Sequence, residues 1–363
     1  MITKNEYEPD VVSWPGETLA EVLEERQMTQ AELAERMGRP KKTINEIIQG
    51  KTSITPETAL QLEHVLHIPA TFWNNRQLQY DEYRAKQAER DRLKSEDHWL
   101  KKFPIKMMMK LGWLKEETDS VTQLQNLLNF FAVGSVEQFT HWPKTRSFRK
   151  SEAFESDDAA LAVWVRRGEI EGATIACQPY HASRFKEILQ HVRLLTILPP
   201  EEFQPELVKL CATAGVAVVF VPELPKCGVS GAAGWLAADK ALIQLSLRHK
   251  TNDHLWFTFF HEAAHILLHQ KSMLFIDMEY YEKSSQEEEA NQVARDLLIS
   301  PKEWQLFLSS GTTYMSKERI KQFAQTIGIA PGIVVGRLQH EGHLRYTHCN
   351  ELKVAFQWQN TEE

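Results

Sequence analysis

Hydrophobic positions in the first quarter of the chain recur every three or four residues, and short turns interrupt them. Leu19, Val22 and Leu23 form one stripe, and Ala31, Leu33, Ala34 and Met37 a second. Ile44, Ile47 and Ile48 form a third, and Leu60, Leu62, Val65 and Leu66 a fourth, with Phe72-Trp73 after it. Spacing of this kind predicts short amphipathic helices. Their ends are also written in the sequence. Thr29 with Glu32 three residues on is a helix start, and Thr55-Pro56-Glu57 is another. Gly38 and Gly50 supply the left-handed backbone that a tight helix end requires.

The pattern changes further along. Residues 80–102 carry charges of both signs, which predicts a solvated connecting helix. Residues 103–198 read as mostly helical: Leu124, Leu127, Leu128 and Phe131 share one face, Trp142-Pro143 breaks the chain, Ala159 to Arg167 is apolar around Trp164, and Phe185 to Leu195 forms a last stripe. No catalytic constellation is visible there. After Pro199-Pro200 the sequence predicts a helix over Phe203–Ala214 and a buried strand over Gly215–Val221. Two further strands are expected about Asp239-Lys240, one near Trp235-Leu236 and one over Ala241–Leu247. An apolar helix containing His261-Glu262-Ala263-Ala264-His265 follows, and then a helix over residues 286–299 that stops at Ser300-Pro301. The expected organisation is therefore an all-α domain over 1–84, a helical connector over 85–198 and an α+β domain over 199–363. No internal repeat or low-complexity segment is present.

With 363 residues the chain is long enough for two or three cores. Its 42% hydrophobic and 25% charged content is that of a globular protein, without a run of the roughly 20 apolar residues that a membrane helix needs. The first ten residues lack the apolar stretch of a signal peptide, so the expected location is the cytoplasm with no membrane contact. Cys177, Cys211, Cys227 and Cys349 form no C-x-x-C pair and read as buried or half-buried thiols. A minority reading makes Cys227, in Lys226-Cys-Gly-Val-Ser-Gly231, a thiolate that reaches and gates a metal. The net charge of −7 excludes nonspecific coating of nucleic acid, although not a local basic face.

The N-terminal region has such a face. A helix ending at Gly38, a short turn and a third helix make the helix-turn-helix pattern. The third helix carries Lys41, Lys42, Thr43, Asn45 and Gln49 away from its isoleucines, in position to reach base edges in the major groove, while Gln30 and Lys51 are placed to hold phosphates. An ordinary solvated helical bundle is the competing reading of the same periodicity. The stretch from Pro15-Gly16-Glu17 through Leu23-Glu-Glu-Arg-Gln-Met-Thr-Gln-Ala-Glu-Leu-Ala-Glu-Arg-Met-Gly38 resembles the lambda-repressor/Cro helix-turn-helix. Ile54-Thr-Pro-Glu-Thr-Ala-Leu-Gln-Leu-Glu63 and Phe72-Trp73-Asn74 make residues 14–84 similar to HigA-type antitoxins. That resemblance implies a homodimer on a pseudo-palindromic operator, often at the protein's own promoter, and a cognate toxin as partner.

His261 and His265 lie one turn apart on a helix, a spacing at which two imidazoles can grip one zinc ion. Glu262 then stands beside the water that such an ion activates. A third ligand is needed. The metzincin position is Lys271, so the ligand should be a carboxylate further on, in Gln286-Glu-Glu-Glu-Ala-Asn-Gln-Val-Ala294. Glu287, Glu288 and Glu289 are the candidates, and Asn291, four residues after Glu287, is placed to hydrogen-bond His261. His269, one turn past His265, reads as a packing residue or a hydrogen-bond support rather than as a further ligand. His254, Tyr280, Tyr281 and Arg295 are each able to polarise a carbonyl, and the sequence does not choose among them.

The HEAAH motif, the Glu-x-Glu-Ala-Asn-x-x-Ala segment, Leu297-Leu298…Pro301, Phe257-Thr-Phe-Phe before the motif and Gly328-Ile-Ala-Pro…Val-Val-Gly-Arg-Leu338 together resemble the ImmA/IrrE metallopeptidases over residues 205–341. The resemblance implies a zincin-like fold, His261, His265 and Glu287 as metal ligands, and Glu262 as general base. Val293 stands where that family often carries Phe, a conservative difference. Zinc is the expected cofactor, and manganese also suits two histidines and a glutamate.

Joined together, these features predict a DNA-binding regulator with a metal-dependent endopeptidase that cuts a toxin, a repressor or itself. The alternative is a non-catalytic antitoxin or repressor whose metal domain senses or docks a partner. A third reading is a hydrolase whose N-terminal helices only dimerise.

Overall fold

The computed structural model describes residues 12–139, 156–225, 227–269, 275–278, 285–309 and 315–358. Trp142-Pro143, Lys226, Lys271, Tyr280 and Tyr281 lie outside the described residues. Two compact units are present, Met1–Asp97 and His98–Glu363. Among the described residues no helix is long and apolar enough to cross a membrane.

The N-terminal unit contains α1 (Pro15–Glu25), α2 (Gln30–Met37), α3 (Lys41–Ile48), α4 (Pro56–Leu66) and α5 (Ala70–Ser95). The four sequence stripes close on one core of Leu19, Leu23, Leu33, Ile44, Ile47, Leu62, Leu66 and Trp73, whereas Ala31 and Leu60, expected in two of those stripes, are exposed. The Thr29 hydroxyl accepts from the Glu32 amide at 3.1 Å and starts α2. Gly38, at φ 66° and ψ 30°, ends it, and α3 begins three residues later. Thr55 caps α4 in the same way, with Pro56 in the first turn. The Trp14 indole donates to the Ile47 carbonyl at 2.7 Å, which fixes the chain entering α1 against the end of α3.

α5 runs without interruption across the expected boundary at residue 84, so its charged half continues the N-terminal unit. The second unit then opens with a 3-10 turn over Asp97–Lys102, α6 (Ile105–Lys110) and α7 (Ser120–Phe131). Next come α8 (Ser156–Thr174), α9 (Ala182–Leu194), α10 (Pro200–Ala212), β1 (Val216–Phe220), β2 (Val229–Ala237) and β3 (Lys240–Leu245). The chain continues through α11 (Asn252–Leu268), β4 (Phe275–Met278), α12 (Ser285–Leu298), α13 (Pro301–Ser309), α14 (Lys317–Ile327) and α15 (Pro331–His340).

The sheet is mixed, with order β1-β3-β2-β4: β1 and β3 are parallel, and β2 is antiparallel to both β3 and β4. Both of its faces are covered. Ile243 and Leu245 join the core with Trp256, Phe259 and Phe260 of α11 and Val334, Val335 and Leu338 of α15. One register step away, Leu242 and Gln244 face α8, where Gly172 and Gly168 leave room for them. The Gln244 amide donates to the Trp164 carbonyl at 2.7 Å, and the Trp164 indole donates to the Val221 carbonyl at 3.0 Å. The helix over 156–174, read from sequence as connector, is thus a structural layer on the sheet, and the compact unit begins near residue 98 rather than 199. Ala159 to Val165 are buried without interruption because that helix packs against the sheet and also against α7.

Candidate metal centre and nucleic-acid interface

The metal candidates sit on α11 and α12, which pack side by side. α11 is buried on nearly every side: Trp256, Phe259, Phe260, Ala263 and Ala264 enter the core, and His261, Glu262 and His265 are buried with them. Backbone and rotamers on such a helix are held by packing, so its polar side chains are fixed in direction. α12 turns its buried Ala290, Ala294 and Leu298 inward, which brings Glu287 and Asn291 toward α11.

The donor atoms converge. His261 Nε2 lies 3.0 Å from His265 Nε2, and Glu287 Oε2 is 3.1 Å from the first and 3.5 Å from the second. Among the described residues this is the group of histidine, cysteine and acidic side chains able to hold a metal ion. The Asn291 Oδ1 accepts from the His261 Nδ1–H at 3.0 Å, so the Nε2 lone pair of His261 faces the other two donors. Burial by itself would raise the Glu287 carboxyl. The hydrogen bonds and positive charge that His261 and His265 offer when protonated outweigh it and hold Glu287 down at about 2, so it is anionic at neutral pH. Burial pushes His265 below the ordinary histidine range, which keeps it neutral and available as a donor.

A tetrahedral zinc ion with bonds of about 2.0–2.1 Å sets its ligand atoms about 3.3 Å apart, close to the three separations found here. The donor set, two neutral imidazoles and one carboxylate, is also one that zinc and manganese accept. The residues therefore fit a divalent ion.

Glu262 is fully buried on the same helix. A Cβ on Gly231 of β2 would meet Glu262 Oε1 at 2.8 Å and Thr258 Cγ2 at 2.5 Å, so the strand leaves the space into which the Glu262 side chain fits. Sequence reasoning passed over Gly231. A glycine in a strand is the available signal of a close approach, but its partner sits 31 positions away and is not legible. The rival acids take other partners: Glu288 pairs with Arg295 at 2.9 Å, and Glu289 Oε2 is 3.6 Å from His269 Nε2. His254 stacks on His249 with centroids 4.2 Å apart. His254 and Arg295 line a cavity of about 170 Å³ together with Phe257, Asn291, Leu298 and Ile333. Cys227 is buried, its thiol is pushed up to about 12 by burial, and it is not among the converging donors.

The nucleic-acid candidates are on α2, α3 and the turn after α3. Lys41, Lys42, Gln49 and Lys51 are exposed, and Gln30, Thr43 and Asn45 are partly so. The Asn45 amide donates to Gln30 Oε1 at 3.3 Å, which ties the start of α2 to the polar face of α3. Lys42 lies 3.7 Å from Glu46 one turn on, a solvent-exposed pair that a phosphate or base can displace. α3 buries Ile44 and Ile47 and turns its remaining face outward.

The N-terminal unit is a helix-turn-helix, a DNA-binding fold. Comparison with known proteins agrees in sequence: residues 19–73 match the family described as helix-turn-helix. No curated protein matches the chain. Among solved structures, the chain is similar to a Nostoc punctiforme PCC 73102 protein described as an antidote of a plasmid maintenance system. The identity is 31%, over 23% of this chain and 91% of that one, with a TM-score of 0.23. It is also similar to an addiction module antidote protein of a HigA family from Coxiella burnetii. That match has 32% identity, over 23% of this chain and 94% of that one, with a TM-score of 0.22.

Proposed function

We propose that the protein is a DNA-binding regulator of antitoxin type whose C-terminal unit is a zincin-like, zinc-dependent endopeptidase acting on a regulatory protein. The observation that carries the second half is the convergence of buried His261 and His265 with the half-buried Glu287, beside the buried Glu262. His261, His265 and Glu287 would hold the ion. Bound there, it supplies Lewis acidity toward water and toward a peptide carbonyl.

The remaining work falls to the chain's own residues. Glu262 takes the proton of the attacking water and returns it to the leaving amine. Asn291 holds His261 in the tautomer that presents Nε2. The cavity beside Phe257 and Asn291, lined by apolar side chains together with Asp253, His254, Arg295, Arg337 and His340, is of a size to accept one substrate side chain. The antitoxin half rests on the capped helices of the N-terminal unit and on the sequence likeness of residues 14–84 to HigA-type antitoxins. It implies a homodimer on a pseudo-palindromic operator and a toxin as partner or substrate.

Metal content measured by elemental mass spectrometry on the whole chain, beside His265→Ala, tests the site. About one zinc or manganese per wild-type chain and none in the variant is expected. Co-expression with a candidate toxin of the HigB type then tests turnover: wild type is expected to cleave the partner and Glu262→Gln, still metal-loaded, to leave it intact. Equal partner levels with both proteins would assign the metal unit to sensing or docking instead.

A further inference from the structure

The two histidines of the triad are supported differently, and this rests on reading them as metal ligands. His261 has the Asn291 amide oxygen behind it. Behind His265 stands a third histidine: His265 Nδ1 and His269 Nδ1 are 2.9 Å apart. Phe275 of β4 covers both rings, stacked on His265 at 4.1 Å and 17° and tilted over His269 at 4.9 Å and 35°. The side chain of His269 is only 5% exposed, and its far nitrogen, Nε2, is 3.6 Å from Glu289 Oε2.

The tautomers follow from the convergence. His265 Nε2 points at His261 Nε2 and Glu287 Oε2, so a cation there needs its lone pair, and the ring proton of His265 must sit on Nδ1. His269 Nδ1 must then accept, which puts the proton of His269 on Nε2, facing the Glu289 carboxylate.

We propose that His269 is a positioning residue for the metal site: its imidazole accepts behind His265, fixes the tautomer and ring plane of His265 and makes it a stronger donor. Glu289, 3.6 Å from His269 Nε2 and so too far for a hydrogen bond, adds a negative charge beyond it. The acid two residues beyond the ligand Glu287 thereby has a role of its own, on the opposite side of His265. Partners of this kind behind a ligating histidine change metal affinity by about 10–100-fold when removed. His269 is 5% exposed beneath Phe275, so little water can take the place of its acceptor and the loss from removing it should lie within that range.

The test is zinc affinity of the whole chain by competition with a chromophoric chelator, together with the visible spectrum of the cobalt-substituted protein. His269→Phe keeps an aromatic ring against Phe275 but has no acceptor, and zinc binding about 10–100-fold weaker is expected. His269→Asn places an amide oxygen near the position of Nδ1 and should recover most of that loss. Glu289→Gln should weaken zinc by a smaller factor in the same direction, because that carboxylate is 58% exposed. The cobalt ligand-field bands should shift in His269→Phe and return in His269→Asn, which loss of packing alone would not produce. Wild-type affinity and an unshifted spectrum in His269→Phe would overturn the proposal, as would His269→Asn binding no better than His269→Phe. An unchanged Glu289→Gln would remove Glu289 from the proposal. The wild-type arm separates this from the reading beneath it: if wild type takes up no zinc, the metal site itself is wrong and the positioning role falls with it.

Discussion

Gly231 offers the sharpest test of how the sheet positions Glu262. An alanine Cβ at that position would lie 2.5 Å from Thr258 Cγ2, 2.8 Å from Glu262 Oε1 and 3.0 Å from Glu262 Cγ. All three atoms belong to α11, which is locked in the core, and β2 is hydrogen-bonded on both sides, so neither element can retreat freely. Overpacking of this kind costs about 1–3 kcal/mol. At roughly 2–4 °C per kcal/mol for a unit of this order of size, calorimetry should show the transition of the His98–Glu363 unit lowered by several degrees. Thr258→Ser removes the Cγ2 atom that makes the tightest contact. In the double variant Gly231→Ala, Thr258→Ser, about 1 kcal/mol should return relative to the sum of the singles, a coupling typical of residues in contact. Gly231→Ala should also keep its metal, because His261 and His265 are not among the atoms it strikes, yet lose cleavage as Glu262 is pushed aside. Full stability in Gly231→Ala, or strictly additive effects in the double variant, would refute the argument that β2 shapes the space for Glu262.

Four further outcomes are expected. Lys42→Ala combined with Asn45→Ala should abolish specific binding to a fluorescent promoter fragment, since each good base contact contributes about 1–3 kcal/mol, and should leave zinc content unchanged; retained specificity would displace α3 as the reading helix. Glu287→Ala should lose metal in equilibrium dialysis while Glu288→Ala, whose carboxylate pairs with Arg295, keeps it; the reverse would move the third ligand. Trp164→Ala should cost about 3–5 kcal/mol in the His98–Glu363 transition, because the indole is fully buried and donates to Val221; a negligible change would return residues 156–174 to the status of a connector. Chelation should lower the midpoint of that same transition, by an amount equivalent to about 4 kcal/mol where free zinc had stood at 1,000 times its dissociation constant, and leave the Met1–Asp97 unit untouched.

Much of the N-terminal unit was legible because its determinants are local. Thr29, Gly38, Thr55 and Pro56 act on backbone within four residues of themselves, and the leucine and isoleucine stripes need only one helical period to be seen. The HEAAH spacing was legible for the same reason, as was the four-residue step from Glu287 to Asn291. The layer formed by α8 was not. A helix packed against both a sheet and α7 along Ala159–Val165 loses the polar-apolar alternation that marks a surface helix, and nothing local says that Gly168 and Gly172 approach Gln244 and Leu242. β4 was also missed, since Phe-Ile-Asp-Met is too short to carry a strand period and is defined by pairing with Val229–Ala233. The polarity of Glu289 gave no hint of His269, because that proximity depends on how α12 lies along α11.

The electrostatics of the triad tie the site to the fold. Glu287, held anionic, and two imidazoles with their Nε2 atoms turned to one point put lone pairs from three side chains within 3.5 Å of one another. With both imidazoles neutral and their protons on Nδ1, this arrangement is repulsive, and a proton on either Nε2 relieves it only by giving up a donor. A divalent cation relieves it by using all three. Two of the donors stand on α11, which the core holds in place, and the third on α12, which is anchored through Ala290, Ala294 and Leu298 but carries its acidic turn toward solvent. The cation would therefore act as a bolt between a rigid helix and a more weakly held one. Its binding free energy would appear as stability of the contact between α11 and α12, so residues that keep His265 turned inward matter to folding of the site as much as to its chemistry.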